Sequence, residues 1–358
     1  MFTPFELGSL RLPHRLAMAP MTRSRSYVDG IPSPLAPLYY GQRASAALII
    51  TEGIQPSPAG QGYMNTPGLH TDQQVAGWRE VTDAVHAAGG RIFAQIMHAG
   101  MVGHPDNTGA VPLAPSAVRP DGLQIFTPSG LQDLPIPREL TTEEVEATVR
   151  DFAAAARRAV DAGFDGVELH GANGYLIHQF LSQNVNLRGD RYGGSIAGRI
   201  RFAVETAKAV AEEIGPDRVG IRLSPTNGAQ GLVEDDAHEL YPALVSELAE
   251  LDLVYLHLIA TGGDELNARI RDLWPNALVV NDPEGADPAG TAAKWLEWGA
   301  DVVSIGRAFL ANPDLPLRLR LGAPLNEPDL SLSFGGDHRG YTDYPALGPH
   351  PAAEPAAV

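Results

Sequence analysis

Within six residues, His170-Gly171-Ala172-Asn173-Gly174-Tyr175, the chain offers an imidazole, a carboxamide and a phenol. Other groups that could do chemistry stand inside or just after short apolar runs: Pro20-Met21-Thr22, Glu52-Gly53, Gln95 and Met97, Arg222, Asn281-Asp282, and Gly306-Arg307. Donors of these kinds, aimed into a cleft, suit a large polar planar ligand with a phosphate tail. Glycine at 306 lets the backbone approach closely, and Arg307 adds a forked charged donor, a combination suited to phosphate. No pair of carboxylates is poised for glycoside chemistry. No His, Asp or Glu set has metal-ligand spacing, so no metal is expected.

Such groups need a scaffold that brings strand ends together. Eight short apolar runs recur: Leu16–Pro20, Ala47–Thr51, Arg91–Ile96, Phe164–Leu169, Val219–Leu223, Leu253–Leu258, Ala277–Val280 and Val302–Ile305. They are aliphatic and nearly unbroken, as strands buried on both faces must be. Helical patterns separate them. Thr141 with Glu144 is a capping-box pair, and Val145, Val149, Phe152, Ala156 and Val160 then share one face. Gly163 stands where that helix should end, as do Gly89-Gly90 and Gly299 for two others. Eight such units predict an α/β fold, a (β/α)8 TIM barrel, with chemistry at the C-terminal ends of the strands. A doubly wound sheet is the alternative. It is weakened by the lack of a GxGxxG turn after the first strand.

The expected organisation is one barrel domain over residues 1–346. An N-terminal hairpin within residues 1–15 should cap it. A Pro- and Gly-rich insertion, 97–140, follows the third strand, and a loop of that length reads as a lid. The Pro/Ala-rich tail, 347–358, is expected to be disordered.

Lys and Arg number 26 and Asp and Glu 43, for a net charge of −17 over 358 residues. That balance repels phosphate backbones and argues against a nucleic-acid partner. The chain has no cysteine. Disulfides, thiolate nucleophiles and ordinary iron–sulfur clusters are therefore excluded. No cationic stretch leads a long apolar run at the N-terminus, and no apolar segment has spanning length. A cytoplasmic protein without a membrane partner, monomeric or homodimeric, is expected.

The segment HGANGYLIHQFLSQNVNLRGDRYGGS (170–195) resembles the signature of the Old Yellow Enzyme family of FMN-dependent ene-reductases. The opening FTPFELGSLRLPHRLAMAPMTR, the segment ITEG, the segment SIGRAFLANPDLPLRL and RGYTDYP near the end extend the resemblance over almost the whole chain. It is greatest to the branch that carries Thr after the first strand, here Thr22.

The resemblance implies non-covalent FMN, reduced by NADPH or NADH, and hydride transfer to an activated alkene. Enones, enals, maleimides and nitroalkenes are the implied substrates. Thr22 should bond the flavin C4 carbonyl, Gln95 the pyrimidine edge, and Arg222 should sit near N1 and C2=O. Pro20, Met21 and Gly53 should line the ring. Gly306 and Arg307 should hold the phosphate, helped by Ser304 and backbone near Asn281. His170 and Asn173 should bind the substrate's carbonyl or nitro oxygen, and Tyr175 should protonate the α-carbon. Tyr341 should project over the flavin, and Met97 should face substrate.

Two departures stand out. Met97 occupies a position where the family often has Trp, which predicts a more accommodating pocket. The run VVNDPEG lacks the glycine usual after the seventh strand, which puts the phosphate contacts near Asn281 in question. His98, His178, His238 and His257 read as structural, and so do Arg188, Asp190, Tyr192 and Arg199. Tyr27 and Phe126 read as surface packing. Two other functions compete: a non-catalytic flavin-binding protein, and a phosphate-binding barrel isomerase or aldolase. The latter needs a catalytic base or Schiff-base lysine at a strand end, and none is found.

Overall fold

In the computed structural model, which describes residues 1–348, an antiparallel hairpin of β1 (Phe5–Leu7) and β2 (Leu10–Leu12) precedes β3 (Leu16–Met18). α1 (Ala36–Gly41), β4 (Ile49–Ile54), α2 (Asp72–Ala87) and β5 (Ile92–Ile96) follow. The insertion then carries α3 (Pro105–Thr108), β6 (Leu113–Ala114), β7 (Gln124–Thr127), β8 (Gly130–Asp133) and β9 (Arg138–Glu139). After it come α4 (Thr142–Asp161), β10 (Gly166–Gly171), α5 (Leu176–Leu181), α6 (Ile196–Ile214) and β11 (Val219–Leu223). The chain continues through α7 (Ala237–Ala249), β12 (Tyr255–Ile259), α8 (Gly263–Leu273), β13 (Ala277–Asn281) and α9 (Pro288–Trp298). It ends its described course with β14 (Val302–Ile305), α10 (Arg307–Ala311) and α11 (Leu315–Leu321).

Strands β10, β11, β12, β13, β14, β3, β4 and β5 pair in that order and close into a parallel (β/α)8 barrel. All eight expected runs lie in it. The first run stops early, at Met18 rather than Pro20. Ala19 still donates to the Ile305 carbonyl, but Pro20 has no N–H to carry the ladder on. The chain therefore turns out of the sheet there and presents Met21 and Thr22 at the strand end.

Local signals set the helices. Thr141 accepts from the Glu144 amide and Glu144 answers through the Thr141 N–H, closing the capping box that starts α4. Such a cap contributes about 1 kcal/mol. Val145, Phe152, Ala155, Ala156 and Ala159 are buried on the inner stripe, while Val149 and Val160 sit at its half-buried margins. Gly163 takes φ +93° and turns the chain into β10.

The insertion has its own small core. Met101, Val102, Ala114, Ile125 and Leu134 pack with Val185 and Leu232. This core props the β7–β8 hairpin over the barrel mouth. The Leu347 amide donates to Asp314 Oδ2 at 2.7 Å, so the chain is fastened at that point. Residues 349–358, where most of the expected disordered tail falls, lie outside the described residues.

Candidate active site at the barrel mouth

Strand periodicity sorts the inward side chains. On β10, Glu168 and His170 share a face because side chains alternate along a strand. The parallel register sets His170 beside Arg222 and Arg222 beside His257. One level below, Gln95, Glu168 and Gly220 are aligned. Of the expected site groups, His170 and Arg222 thus share one layer and Gln95 lies one level below.

Beyond β10 the chain makes a tight turn. Asn173 adopts φ +55° and Gly174 φ +82°. Asparagine tolerates the left-handed region better than most residues, and a Cβ at 174 would lie 2.8 Å from the Ala229 carbonyl oxygen. The Asn173 amide donates to Ser224 Oγ at 2.9 Å, and the Gly174 amide to His178 Nδ1 at 3.0 Å. Buried His178 is itself tied to Glu234 and Tyr241. Its expected structural role is to brace the loop that carries Asn173 and Tyr175.

The His170 ring lies 5.1 Å from that of Tyr175. Burial pushes His170 well below the ordinary imidazole range, and the charge of Arg222 adds to this, so His170 is neutral. Its buried Nδ1 has no partner in the protein. Burial, with Tyr63 beside it, pushes the Tyr175 phenol well above 10. Tyr175 thus keeps its proton at any ordinary pH.

Arg222 is buried and donates through Nη2 to Asn281 Oδ1 at 2.9 Å. Burial lowers its pKa and the Glu168 carboxylate opposes that. Its Nε is buried and unpartnered. Orphaned buried polar atoms on Arg222 and His170, side by side in one layer, are what a polar planar ligand would satisfy. These residues fit FMN.

A cavity of about 1420 Å³ opens next to this layer and reaches Asn281, the partner of Arg222. Met21, Thr22, Tyr175, Ser304, Gly306 and Arg307 line it. Glu52 steadies its first-strand side: its carboxylate accepts the Arg23 amide at 3.0 Å, and Tyr40 OH accepts the Glu52 amide. Pro20 is half-buried beside Met21, and Gly53 is buried at the end of β4. A Cβ on Gly53 would come within 2.7 Å of Met97 Sδ, so glycine there makes room for Met97, which is 5% exposed.

Three residues sit otherwise than expected. Tyr341 is 1% exposed and stacks on Tyr39, centroids 4.1 Å apart, with Arg23 and Arg25 over its ring. Aromatic stacking and cation–π attraction hold it in the core, so it does not project over the mouth. The Ser304 hydroxyl lies 2.8 Å from buried His257 Nε2, so it is turned into the barrel rather than toward a phosphate. Phe126, 68% exposed, lines the cavity from the β7–β8 hairpin instead of packing on the surface.

Sequence reading missed Glu168, a charged residue inside an apolar run. It accepts from Gln95 Nε2 at 2.8 Å, Tyr255 OH at 3.0 Å and His257 Nδ1 at 2.7 Å. It also missed Tyr63, whose hydroxyl meets that of Tyr175. A buried acid within a strand was the available signal for Glu168; Tyr63 gave none. The expected brace after β10 is present: Arg188 is bonded to Asp190, Arg199 to Asp236 and Tyr192 to Glu205. Among the described residues no group of three or more His, Asp or Glu is placed to hold a metal ion. No described helix is long and apolar enough to cross a membrane.

The model of the NADH:flavin oxidoreductase / NADH oxidase family matches residues 1–326. The chain is 41% identical to 12-oxophytodienoate reductase 2 of Arabidopsis thaliana, over 97% of this chain and 96% of that protein. It is also 41% identical to chanoclavine-I aldehyde reductase of Penicillium roqueforti, over 96% and 95%. Morphinone reductase in complex with tetrahydroNAD superposes with a TM-score of 0.92 at 47% identity, covering 97% of both chains. An old yellow enzyme homologue from Zymomonas mobilis superposes at 0.93 and 37% identity, covering 97% of this chain and 99% of the other. With the barrel and its polar mouth, these matches establish that the chain belongs to the NADH:flavin oxidoreductase / NADH oxidase family, that of Old Yellow Enzyme.

Proposed function

We propose that this enzyme reduces activated alkenes, among them enones, enals, maleimides and nitroalkenes, with NADPH or NADH as the reductant. The observation that carries the reading is the His170–Tyr175 turn. It sets a neutral imidazole, a carboxamide and a protonated phenol together; the phenol lines the cavity, and so does Asn281, which accepts a hydrogen bond from the buried cation Arg222. Bound FMN supplies the hydride that adds to the substrate's β-carbon.

Thr22, Gln95 and Arg222 would hold the ring's polar edge, with Pro20, Met21 and Gly53 along its face. Gly306 and Arg307, at the start of α10, would hold the phosphate. His170 and Asn173 donate to the substrate's carbonyl or nitro oxygen, drawing electron density from the alkene. Preoriented donors of this type are each worth roughly 10²–10³ in rate. Tyr175 gives its phenolic proton to the α-carbon. Its raised pKa keeps that proton in place until a strongly basic carbon asks for it. The hairpin bearing Phe126 serves as a lid over the cavity. The proposal includes a cytoplasmic location, where reduced nicotinamide nucleotides are plentiful, and a monomer or homodimer with no nucleic-acid or membrane partner.

An anaerobic spectrum tests it. The purified protein should show a flavin band that bleaches with NADPH and returns on adding cyclohexenone. A colourless protein that takes up no added FMN, or a reduced flavin that ignores every activated alkene, would overturn it.

A further inference from the structure

We infer that Glu168 is a positioning residue that orients the Gln95 amide and partly offsets the Arg222 charge, so that it sets the reduction potential of the bound flavin. This deepens the proposed function and rests on FMN lying over Gln95 and Arg222.

Glu168 is fully buried, two residues before His170 on the same inward face of β10. An uncompensated carboxylate there would be very costly. Three donors from two strands, β5 and β12, compensate it: Gln95 Nε2 on one oxygen, Tyr255 OH and His257 Nδ1 on the other. Gly220 permits this arrangement, since a Cβ there would lie 2.3 Å from the Tyr255 ring. Burial favours a protonated Glu168, but the hydrogen bond from His257, the Arg222 charge and the Gln95 amide hold the carboxyl below the usual range. Burial keeps His257 neutral. The His257 Nδ1–H therefore goes to Glu168, and Nε2 accepts from Ser304 Oγ.

Two consequences follow for the layer above. A carboxylate can only accept, so it forbids the flipped Gln95 amide. Gln95 is left to present its carbonyl oxygen and one N–H upward, which complements the N–H and carbonyls of a flavin's pyrimidine edge. The second consequence is electrostatic. Arg222 favours the negative charge gained on reduction, and Glu168, buried beneath it, opposes that charge. The potential is thereby held down, which leaves the reduced cofactor a stronger hydride donor.

The test is the two-electron potential of bound FMN, read by anaerobic equilibration with a reference dye, in wild type and Glu168→Gln. Glu168→Gln should shift the reduction equilibrium about tenfold toward the reduced form, an upward move of about 30 mV. FMN should also bind less tightly, because the Gln95 amide is free to flip. An unchanged or lowered potential in the FMN-loaded variant overturns the inference, whatever happens to affinity. Where Glu168→Gln does not fold, Tyr255→Phe decides: it keeps the charge and removes one hydrogen bond from it. Its potential should fall, by about threefold in the same equilibrium, and an unchanged or raised value overturns the inference. A wild type that binds no FMN would instead refute the function proposed above, so the two failures are distinguishable.

Discussion

Tyr63 and Tyr175 hold their hydroxyls 3.0 Å apart, with their rings edge to face at the cavity wall. Tyr175 thus has a second phenol against it, one that can replace the proton it gives away. Tyr175→Phe should slow reoxidation of the reduced enzyme by an enone by roughly 10²-fold or more. Reduction by NADPH should change little, because that step needs no proton donor. Tyr63→Phe should slow only reoxidation, and by roughly tenfold or less. Stopped-flow traces of the two half-reactions separate these cases, and equal slowing of both halves would refute the assignment.

The pH dependence follows from directions already set. His170 lies well below the ordinary imidazole value, so it stays neutral as pH falls through 6.5. Tyr175 lies well above 10, so it stays protonated as pH rises toward that value. The enone half-reaction should therefore be flat between about pH 6 and 9. A titration near 6.5 that vanishes in His170→Ala would show that His170 works as a cation.

Met97 lies against Gly53 and is nearly buried. Methionine is flexible and yields to its neighbours. Met97→Trp places a rigid ring there and should narrow the range of alkenes accepted, with bulky ring-substituted enones lost first. Matching substrate profiles for the two proteins would sink this idea.

Arg188 is buried and donates to Asp190, to the Pro115 carbonyl and to the Leu140 carbonyl. It ties the insertion to the loop that follows the His170–Tyr175 turn. Arg188→Met should cost about 3 kcal/mol, measured by urea unfolding. Asp190 is held well below the usual carboxylate range, first by Arg188. Its contribution is therefore present above the unfolded carboxylate value near pH 4 and is lost as pH falls below it. Wild type should lose more stability between about pH 5 and pH 2 than Arg188→Met does. Parallel acid-unfolding curves would argue against the pair.

The barrel was legible in the sequence because strands buried on both faces must be apolar throughout. Eight such runs, each followed by an amphipathic helix, leave few other folds. The Thr141–Glu144 cap and the helix-ending glycines were legible for a similar reason: they are local chemistry, complete within four residues. That His170, Asn173 and Tyr175 stand together was legible because one turn carries all three. Glu168 and His257 could not be paired by reading the chain. They are 89 positions apart, and only closure of the barrel sets strand β12 where its histidine meets the acid of β10. Tyr341 and Ser304 differ from expectation for the same reason. Residue type told which interactions each could make, but the partners, an arginine-flanked tyrosine stack and a buried imidazole, were supplied by distant segments. Periodicity determines which face of a strand a side chain takes; tertiary packing decides what it finds there.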